Sequence, residues 1–301
     1  TKSLLYRNQS FHSNIKIVLT VRNRKKAEEM FGIQDEIEYL ETSIEELSKL
    51  PSNIDYVIHC ASPTKSKFFI SNPVETMNTS IIGTQKLLEL CKGISLKKFI
   101  FLSSMEMYGV LDSKNVTEKD LGYLNNLDAR SSYSIGKRVS ELYSYCYFKE
   151  YNVPIVIARL AMCFGAGVFK EETRVYKYFC DCVLNKQDIE IKSTGKTIVN
   201  FVYTLDAVKA LFILLNKGVT GEAYNVSADS SNFTILDMAN YLAERHGEGT
   251  KVVQNIPKEN QGFAPDNTMV LNNEKLKSLG WKSDYLIEEA LSRTLEYLKN
   301  E

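Results

Sequence analysis

The sequence predicts an α/β protein in which a doubly wound parallel sheet is followed by a smaller α+β lobe. Over roughly the first 165 residues, short apolar runs rich in β-branched residues alternate with longer stretches whose apolar residues lie three and four apart. These stretches have the length of the helix that a parallel crossover needs. Beyond that point the alternation loosens. We therefore expect a first domain over residues 1–165 and a second over 166–301, from which some strands or helices cross back to the first.

The elements of the first domain follow from these patterns in chain order. Residues 1–11 suit the last turns of a helix. Strands are expected over 15–21, 37–40, 54–60, 98–103 and 154–160. Helices are expected over 25–31, 44–50, 74–91 and 131–151. A doubly wound sheet that binds a dinucleotide begins with a strand and a glycine-rich turn, whereas no glycine precedes Gly32. The first strand and its glycine-rich turn are therefore expected upstream of Thr1.

The second domain is expected to combine five helices with four short strands. The helices are expected over 171–185, 205–215, 235–245, 274–279 and 286–299. The strands are expected over 189–191, 198–202, 223–226 and 252–255. This lobe would lie over the carboxyl ends of the parallel strands, where open α/β sheets bind their ligands.

The composition argues against several classes of function. The 37 basic and 37 acidic residues leave no positive surplus for a nucleic-acid backbone. Apolar runs end well before the roughly 18 residues of a membrane span, so no membrane partner is expected. Six cysteines without paired spacing indicate reduced thiols, and three widely separated histidines indicate no metal site. The absence of a signal peptide at the start favours a cytoplasmic protein.

Two polar clusters could carry chemistry. The segment SSMEMYG, residues 103–109, ends a predicted strand, and YSIGK, residues 133–137, lies in a predicted helix. Tyr133 and Lys137 share a helical face, so the ammonium is expected to favour the phenolate and lower the Tyr133 pKa from its usual value of about 10. Ser104 and Glu106, two residues apart at a strand end, could present a hydroxyl and a carboxylate to one substrate.

Several motifs in order resemble those of the extended short-chain dehydrogenases/reductases. IDYVIHCAS at 54–62 is similar to their VIHxAA strand, SSMEMYG to their SSxxVYG segment and SSYSIGK at 131–137 to their YxxxK element. GEAYNV at 221–226 resembles their GExYNIG strand, and KLKSLGW at 275–281 their KLxxLGW turn. The resemblance runs from about residue 15 to residue 299. It implies a Rossmann-like fold and the branch of nucleotide-sugar epimerases, dehydratases and decarboxylases.

The resemblance also implies ligands and residue roles. The ligands would be a nicotinamide cofactor, NAD or NADP, and a nucleoside-diphosphate sugar that is oxidised at C4 to a 4-keto intermediate. Tyr133 would act as the base at the C4 hydroxyl, Ser104 would hydrogen-bond that hydroxyl, and Lys137 would hold the nicotinamide ribose. The cofactor site would also include Ala61, Ser62 and Ser103. A homodimer is expected through the apolar face of Val139, Leu142, Tyr143 and Cys146 on the same helix.

The reaction after C4 oxidation is left open by the sequence. The dehydratases carry Thr-Asp-Glu where this chain has Ser104-Met105-Glu106, and Met105 cannot donate a proton. Glu106 without the Asp resembles the UDP-glucuronate decarboxylases, whereas simple 4-epimerases usually have a small or hydroxyl residue there. We therefore rank UDP-glucuronate decarboxylation first, UDP-glucose 4-epimerisation second and dTDP-glucose 4,6-dehydration third.

Three departures from the family pattern bear on ligand binding. Met162 stands where relatives have an Asn near the substrate diphosphate, and Val199 where they have an Arg; Arg174 or Lys196 could substitute. Arg22 closes a strand where many relatives have an Asp for the NAD ribose, so it could face the 2′-phosphate of NADP or no ligand at all. These departures also support an alternative from another class, a catalytically silent dinucleotide-binding protein.

Overall fold

A computed structural model describes residues 1–51, 53–229, 233–256 and 268–300. The helices are α1 (Lys2–Phe11), α2 (Arg24–Phe31), α3 (Ser66–Ser71), α4 (Pro73–Met77), α5 (Gly83–Cys91), α6 (Ser131–Tyr151), α7 (Val175–Leu184), α8 (Thr204–Lys217), α9 (Ile235–His246), α10 (Glu274–Lys277) and α11 (Ile287–Lys299). The strands are β1 (Ile17–Val21), β2 (Ile37–Glu41), β3 (Tyr56–His59), β4 (Lys98–Ser104), β5 (Ile155–Leu160), β6 (Met162–Phe164), β7 (Ile189–Ile191), β8 (Phe201–Tyr203), β9 (Ala223–Val226) and β10 (Val252–Gln254).

The central sheet has four parallel strands in the order β3-β4-β5-β9. Its middle strands are apolar along most of their length because helices cover both faces. On one face Phe99 and Ile155 pack with Leu88 of α5. On the other face Ile100 and Val156 belong to a core with α8. The predicted α/β class with a parallel sheet is confirmed, and β9 brings a strand from the second half of the chain into this sheet.

A separate pair of parallel strands, β1 and β2, lies with α1 and α2. Leu5, Ile17 and Ile37 form its small core. The Asn8 side chain bonds both the N–H and the C=O of Ile15, each at 2.8 Å, and so ties α1 to the start of β1. In the part of the chain that the structure describes, β1 and β3 are each an edge of their own sheet. The expected strand and glycine-rich turn before Thr1 stay a prediction.

The observed elements differ from the predicted ones in a few places. The helix predicted over 44–50 is wrong: these residues form a turn and irregular backbone. Ile44 and Leu47 are buried beside α5, but the segment is too short to form a stable helix and ends at Pro51. The helix predicted over 74–91 contains a π-helical stretch, Asn78–Ile82, between α4 and α5. β6 and α3 were not predicted.

The remaining elements pack as a second core above the carboxyl ends of the sheet strands. Phe179, Met238 and Leu291, from α7, α9 and α11, lie in this core with the β6–β8 pair. Asn200, just before β8, bonds the backbone of Met269 and Leu271 and so attaches a later segment to the cleft described below. None of the described helices is long and apolar enough to cross a membrane.

Candidate active site

A cleft of about 840 Å³ lies between the end of the central sheet and the second core. Ser104 and Glu106 line it from the end of β4, and Tyr133 lines it from α6. Arg174 and Val199 line it from the second half of the chain. The fold therefore brings residues far apart in sequence to one cavity at the carboxyl edge, where doubly wound sheets bind ligands.

Tyr133 is buried, with 9% of its surface exposed, in the first turn of α6. Its ring stacks on Phe69 of α3, with centroids 4.3 Å apart and planes at 3°. Burial first, and then the charge of Glu106, raises the pKa of Tyr133 to about 12, while a hydrogen bond with Ser104 and the charge of Arg174 act in the opposite direction. The prediction of a lowered Tyr133 pKa is therefore wrong for the protein alone, because desolvation of the phenolate outweighs the hydrogen bond with Ser104 and the charge of Arg174, and Lys137 is not among the causes.

Lys137 is one turn further along the same face of α6 and is 4% exposed. Its Nζ donates to the carbonyl of Leu102 in β4 at 2.8 Å and lies 5.9 Å from the centroid of the Tyr133 ring. Burial lowers the pKa of Lys137 to about 8. The Lys137 ammonium thus lies between the Tyr133 ring and the end of β4. It has donors left for a further acceptor, such as a hydroxyl of a ligand.

Glu106 is the second residue of a short 3₁₀ turn, Met105–Tyr108, that Ser104 caps by accepting the Glu106 N–H at 3.2 Å. The Glu106 carboxylate accepts from Arg130 Nη1 at 3.1 Å and from Ser134 Oγ at 3.3 Å. Ser104 and Glu106 therefore both line the cleft beside Tyr133, although Glu106 lies in the turn after β4 and not in the strand whose alternation the prediction used. Met105 also lines the cleft and has no proton to give.

At the other end of the cleft the lining is largely apolar. Met162 and Val199 line it where the resemblance would place amide and guanidinium groups. Arg174 is there, but its Nη2 pairs with Glu172 at 2.6 Å and its Nη1 donates to a backbone carbonyl. Lys196 is exposed and lies outside the residues that line the cleft. Of the two proposed substitutes for the missing arginine, only Arg174 is in place.

The residues assigned to a nicotinamide cofactor fall into two groups. Ser62 and Ser103, at the ends of β3 and β4, have buried hydroxyl oxygens with no partner among the described residues. Such orphaned polar atoms fit a site in which a bound group supplies the missing hydrogen bonds. Ala61 lies next to Ser62 and is partly buried. Arg22 follows β1, is exposed and does not line the cleft.

Three functional contacts were missed from the sequence. Phe69 stacks on Tyr133, Glu172 holds Arg174, and Arg130 holds Glu106. Only Arg130 had a readable signal, since Arg130, Tyr133 and Ser134 are three and four residues apart and must share a helical face. No cluster of three or more metal-ligating side chains occurs within the described ranges.

A buried ion pair fastens α6 to the central sheet behind the cleft. Arg159 of β5 and Glu141 of α6 are paired at 2.7 Å, with side chains 9% and 8% exposed. Arg159 also donates to the Tyr108 hydroxyl at 2.9 Å, and that hydroxyl donates to Asn225 of β9 at 2.7 Å. The helix that carries Tyr133 is therefore bound to three parts of the fold at once.

Comparison with known proteins agrees with this geometry. The chain is 28% identical over 250 residues to UDP-glucuronic acid decarboxylase 1 of Xenopus tropicalis, covering 82% of this chain and 58% of the relative. It is 27% identical over 287 residues to dTDP-D-glucose 4,6-dehydratase of Dictyostelium discoideum, covering 82% of this chain and 65% of the relative. The chain thus spans about three fifths of the length of these relatives.

Solved structures show the same fold. UDP-glucuronic acid 4-epimerase from Bacillus cereus, solved with UDP-glucuronic acid and NAD, aligns with a TM-score of 0.83 at 21% identity over 99% of this chain and 94% of that one. UDP-glucose 4-epimerase from Thermotoga maritima aligns with a TM-score of 0.81 at 23% identity over 97% and 94% of the two chains. The sequence profile of the NAD dependent epimerase/dehydratase family matches residues 9–227, and the chain belongs to that Rossmann-like family.

Proposed function

We propose that this chain is an NAD-dependent enzyme that modifies a nucleoside-diphosphate sugar by oxidation at C4, with decarboxylation of UDP-glucuronate as its first candidate reaction. The observation that carries the proposal is the meeting of Tyr133, Ser104 and Glu106 at one end of a single cleft, with Lys137 buried one turn from Tyr133 and bonded to the Leu102 carbonyl. Relatives named as decarboxylases, a dehydratase and epimerases support the substrate class.

In this proposal Tyr133 accepts the proton of the C4 hydroxyl, and Ser104 orients that hydroxyl through a second hydrogen bond. NAD, when bound, supplies the hydride acceptor for C4. Lys137, Ser62, Ser103 and Ala61 would hold the nicotinamide end of the cofactor. Lys137 is one turn from Tyr133 on α6, Ser103 lines the cleft, and Ser62 and Ser103 have buried hydroxyl oxygens without a described partner. The high pKa of Tyr133 keeps the phenol protonated until ligands complete the site.

Glu106 favours decarboxylation over the other reactions. A ketone at C4 is β to a carboxylate on C5, so carbon dioxide can leave while its bonding electrons move towards the C4 oxygen. Glu106 lies beside Tyr133 in the cleft and can orient the C5 substituent during that step. Dehydration would need a proton for the departing C6 hydroxyl, and Met105 cannot supply one.

Substrate and subunit contacts complete the proposal. Arg174 would bind the diphosphate, with Met162 and Val199 as apolar neighbours. A homodimer would form through α6, where Leu142 is 62% exposed although it is apolar. We also propose the division into a cofactor-binding part, 1–165, and a sugar-nucleotide part, 166–301, to which β9 is an exception because it pairs with β5.

Mass spectrometry of the products tests the reaction. UDP-glucuronate, UDP-glucose and dTDP-glucose are each incubated with the protein and NAD. Loss of carbon dioxide supports decarboxylation, loss of water indicates dehydration, and a changed sugar of unchanged mass indicates epimerisation. Tyr133→Phe should reduce turnover by about 100-fold or more because the titrating hydroxyl is removed. Tyr145→Phe is the matched control, since Tyr145 also has a lysine four residues later but lies outside the cleft.

Glu106→Gln separates the branches. An epimerase should keep most of its turnover, whereas a decarboxylase should lose it while the 4-keto sugar accumulates.

The apolar Met162 and Val199 favour a second candidate, a silent dinucleotide-binding protein. That candidate predicts NAD binding in calorimetry and no turnover of any of the three sugars.

A further inference from the structure

The first turns of α6 and the end of β4 meet in three successive contacts. Lys137 donates to the carbonyl of Leu102. One turn earlier, Tyr133 shares a hydrogen bond with Ser104. One further turn back, Arg130 pairs with Glu106. From one contact to the next, the residue number on α6 falls by four and then by three, while the residue number at the end of β4 rises by two each time. This pattern is expected when a helix runs antiparallel to the end of a strand.

The third contact, between Arg130 and Glu106, holds the Glu106 carboxylate from outside the cleft. Arg130 is the N-cap residue of α6, and its own N–H is fixed by Asp128 Oδ1 at 2.9 Å. Arg130 does not line the cleft, whereas Glu106 does. Arg130 and Ser134 both donate to the same Glu106 oxygen, Oε2, and no described residue donates to Oε1. The carboxylate is therefore held from behind by one oxygen, with the other free for a ligand.

The pair is poorly suited to a purely stabilising role. The Arg130 and Glu106 side chains are 32% and 33% exposed, and ion pairs with that exposure contribute little to stability. Orientation is a different matter, because two donors on one oxygen restrict the rotation of the carboxylate. The Glu106 charge also acts on Tyr133, whose pKa it raises, so the position of this carboxylate matters to the tyrosine.

We propose that Arg130, assisted by Ser134, is a positioning residue that holds the Glu106 carboxylate beside Tyr133, in the orientation from which Glu106 acts on the C5 substituent. This inference rests on the proposed function, because it assigns Arg130 to the step after C4 oxidation. Arg130 does not touch substrate; it acts through Glu106. Its loss should therefore lower kcat with little change in KM.

A kinetic double-mutant cycle tests the inference. UDP-glucuronate turnover is measured for the parent protein, Arg130→Gln, Glu106→Gln and the double variant. We expect Arg130→Gln to lower kcat by about 10- to 100-fold, to change KM less than about threefold and to have no further effect when Glu106 is already Gln. Arg130→Lys should recover part of kcat because it keeps the charge but not the fork.

Controls separate this role from folding and from the proposed function. Arg293→Gln removes an exposed Arg–Glu pair on α11, away from the cleft, and should leave kcat unchanged. Thermal unfolding shows whether Arg130→Gln folds; if it does not, Arg130→Lys is used in the same cycle. An unchanged kcat in Arg130→Gln, or losses that multiply in the double variant, would overturn the inference alone. No turnover by the parent protein of any of the three sugars would overturn the proposed function, and this inference with it.

Discussion

Replacing Lys137 by methionine is expected to stabilise the protein at neutral pH while it removes a residue of the proposed site. Lys137 is 4% exposed, and burial lowers its pKa from 10.5 to about 8. Its one described hydrogen bond is to the Leu102 carbonyl. Methionine has a similar length and no charge, so the substitution isolates the cost of holding an ammonium ion in the core.

The magnitude follows from the two pKa values. Between about pH 8 and pH 10.5 the unfolded chain keeps the Lys137 proton while the folded chain has lost it, so the free energy of unfolding rises with pH. Across this range the free energy of unfolding of the parent protein rises by about 3 kcal/mol in total. None of this gain is present below pH 8, and all of it is present above pH 10.5. Methionine avoids the cost of the buried ammonium at every pH but leaves the Leu102 carbonyl unpaired, at about 1–3 kcal/mol. The variant should therefore be up to about 2 kcal/mol more stable at pH 7.

Urea unfolding measures the difference. Trp281 is the chain's one tryptophan and is 2% exposed, so its fluorescence reports loss of the core around α8. The stability advantage of Lys137→Met over the parent should shrink, and then reverse, as the pH rises from about 7 to 10.5. Lys149→Met, at an exposed position near the end of α6, is the matched control and should show no such trend. A difference between Lys137→Met and the parent that stays constant with pH would refute the reasoning.

Three further substitutions test other contacts. Tyr108→Phe should lower the free energy of unfolding by about 1–3 kcal/mol in urea titration, because Asn225 Oδ1, which accepts from the Tyr108 hydroxyl at 2.7 Å, stays buried without that donor. A change within experimental error would contradict this. Phe69→Leu should bring the pKa of Tyr133 down from about 12, because water reaches the phenol once the stacked ring is gone. Ultraviolet titration measures this pKa when the signal of the Tyr133→Phe chain is subtracted. An unchanged midpoint would show that the stacked Phe69 ring does not set the pKa. Arg174→Gln should weaken UDP binding in calorimetry by about tenfold, and equal affinity would exclude Arg174 as the phosphate ligand.

Much of the fold could be predicted because its strongest patterns are local. The strand over 98–104 and the helix α6 agree with expectation within a residue or two, since a buried apolar run and a long amphipathic stretch are unambiguous. The segment around Ile44 has a helical spacing but folds as a turn, because tertiary burial of Ile44 and Leu47 can be met without a helix. A short apolar pattern does not determine the backbone by itself.

The candidate site likewise contains residues that could be predicted from the sequence and properties that could not. Tyr133, Lys137, Ser104 and Glu106 were found from their spacing. The structure brings Tyr133, Ser104 and Glu106 to one cleft, with Lys137 one turn from Tyr133 on α6. The direction of the Tyr133 pKa could not be found, because it depends on burial that only the packed molecule has. Phe69 is equally invisible, since nothing local links it to a tyrosine so much later in the chain.

The place of β9 in the central sheet has a consequence for how the chain is made. β9 begins about 60 residues after β5 ends, so at about 5–20 residues per second the ribosome needs roughly 3–12 s to supply the neighbour of β5. During that interval β5 is an open edge of a nascent sheet, and an unpaired apolar edge invites aggregation. Arg159 is the one charged residue within β5. Before it pairs with Glu141, its charge can act as a gatekeeper against strand addition, so its replacement by an apolar residue should reduce soluble yield during synthesis.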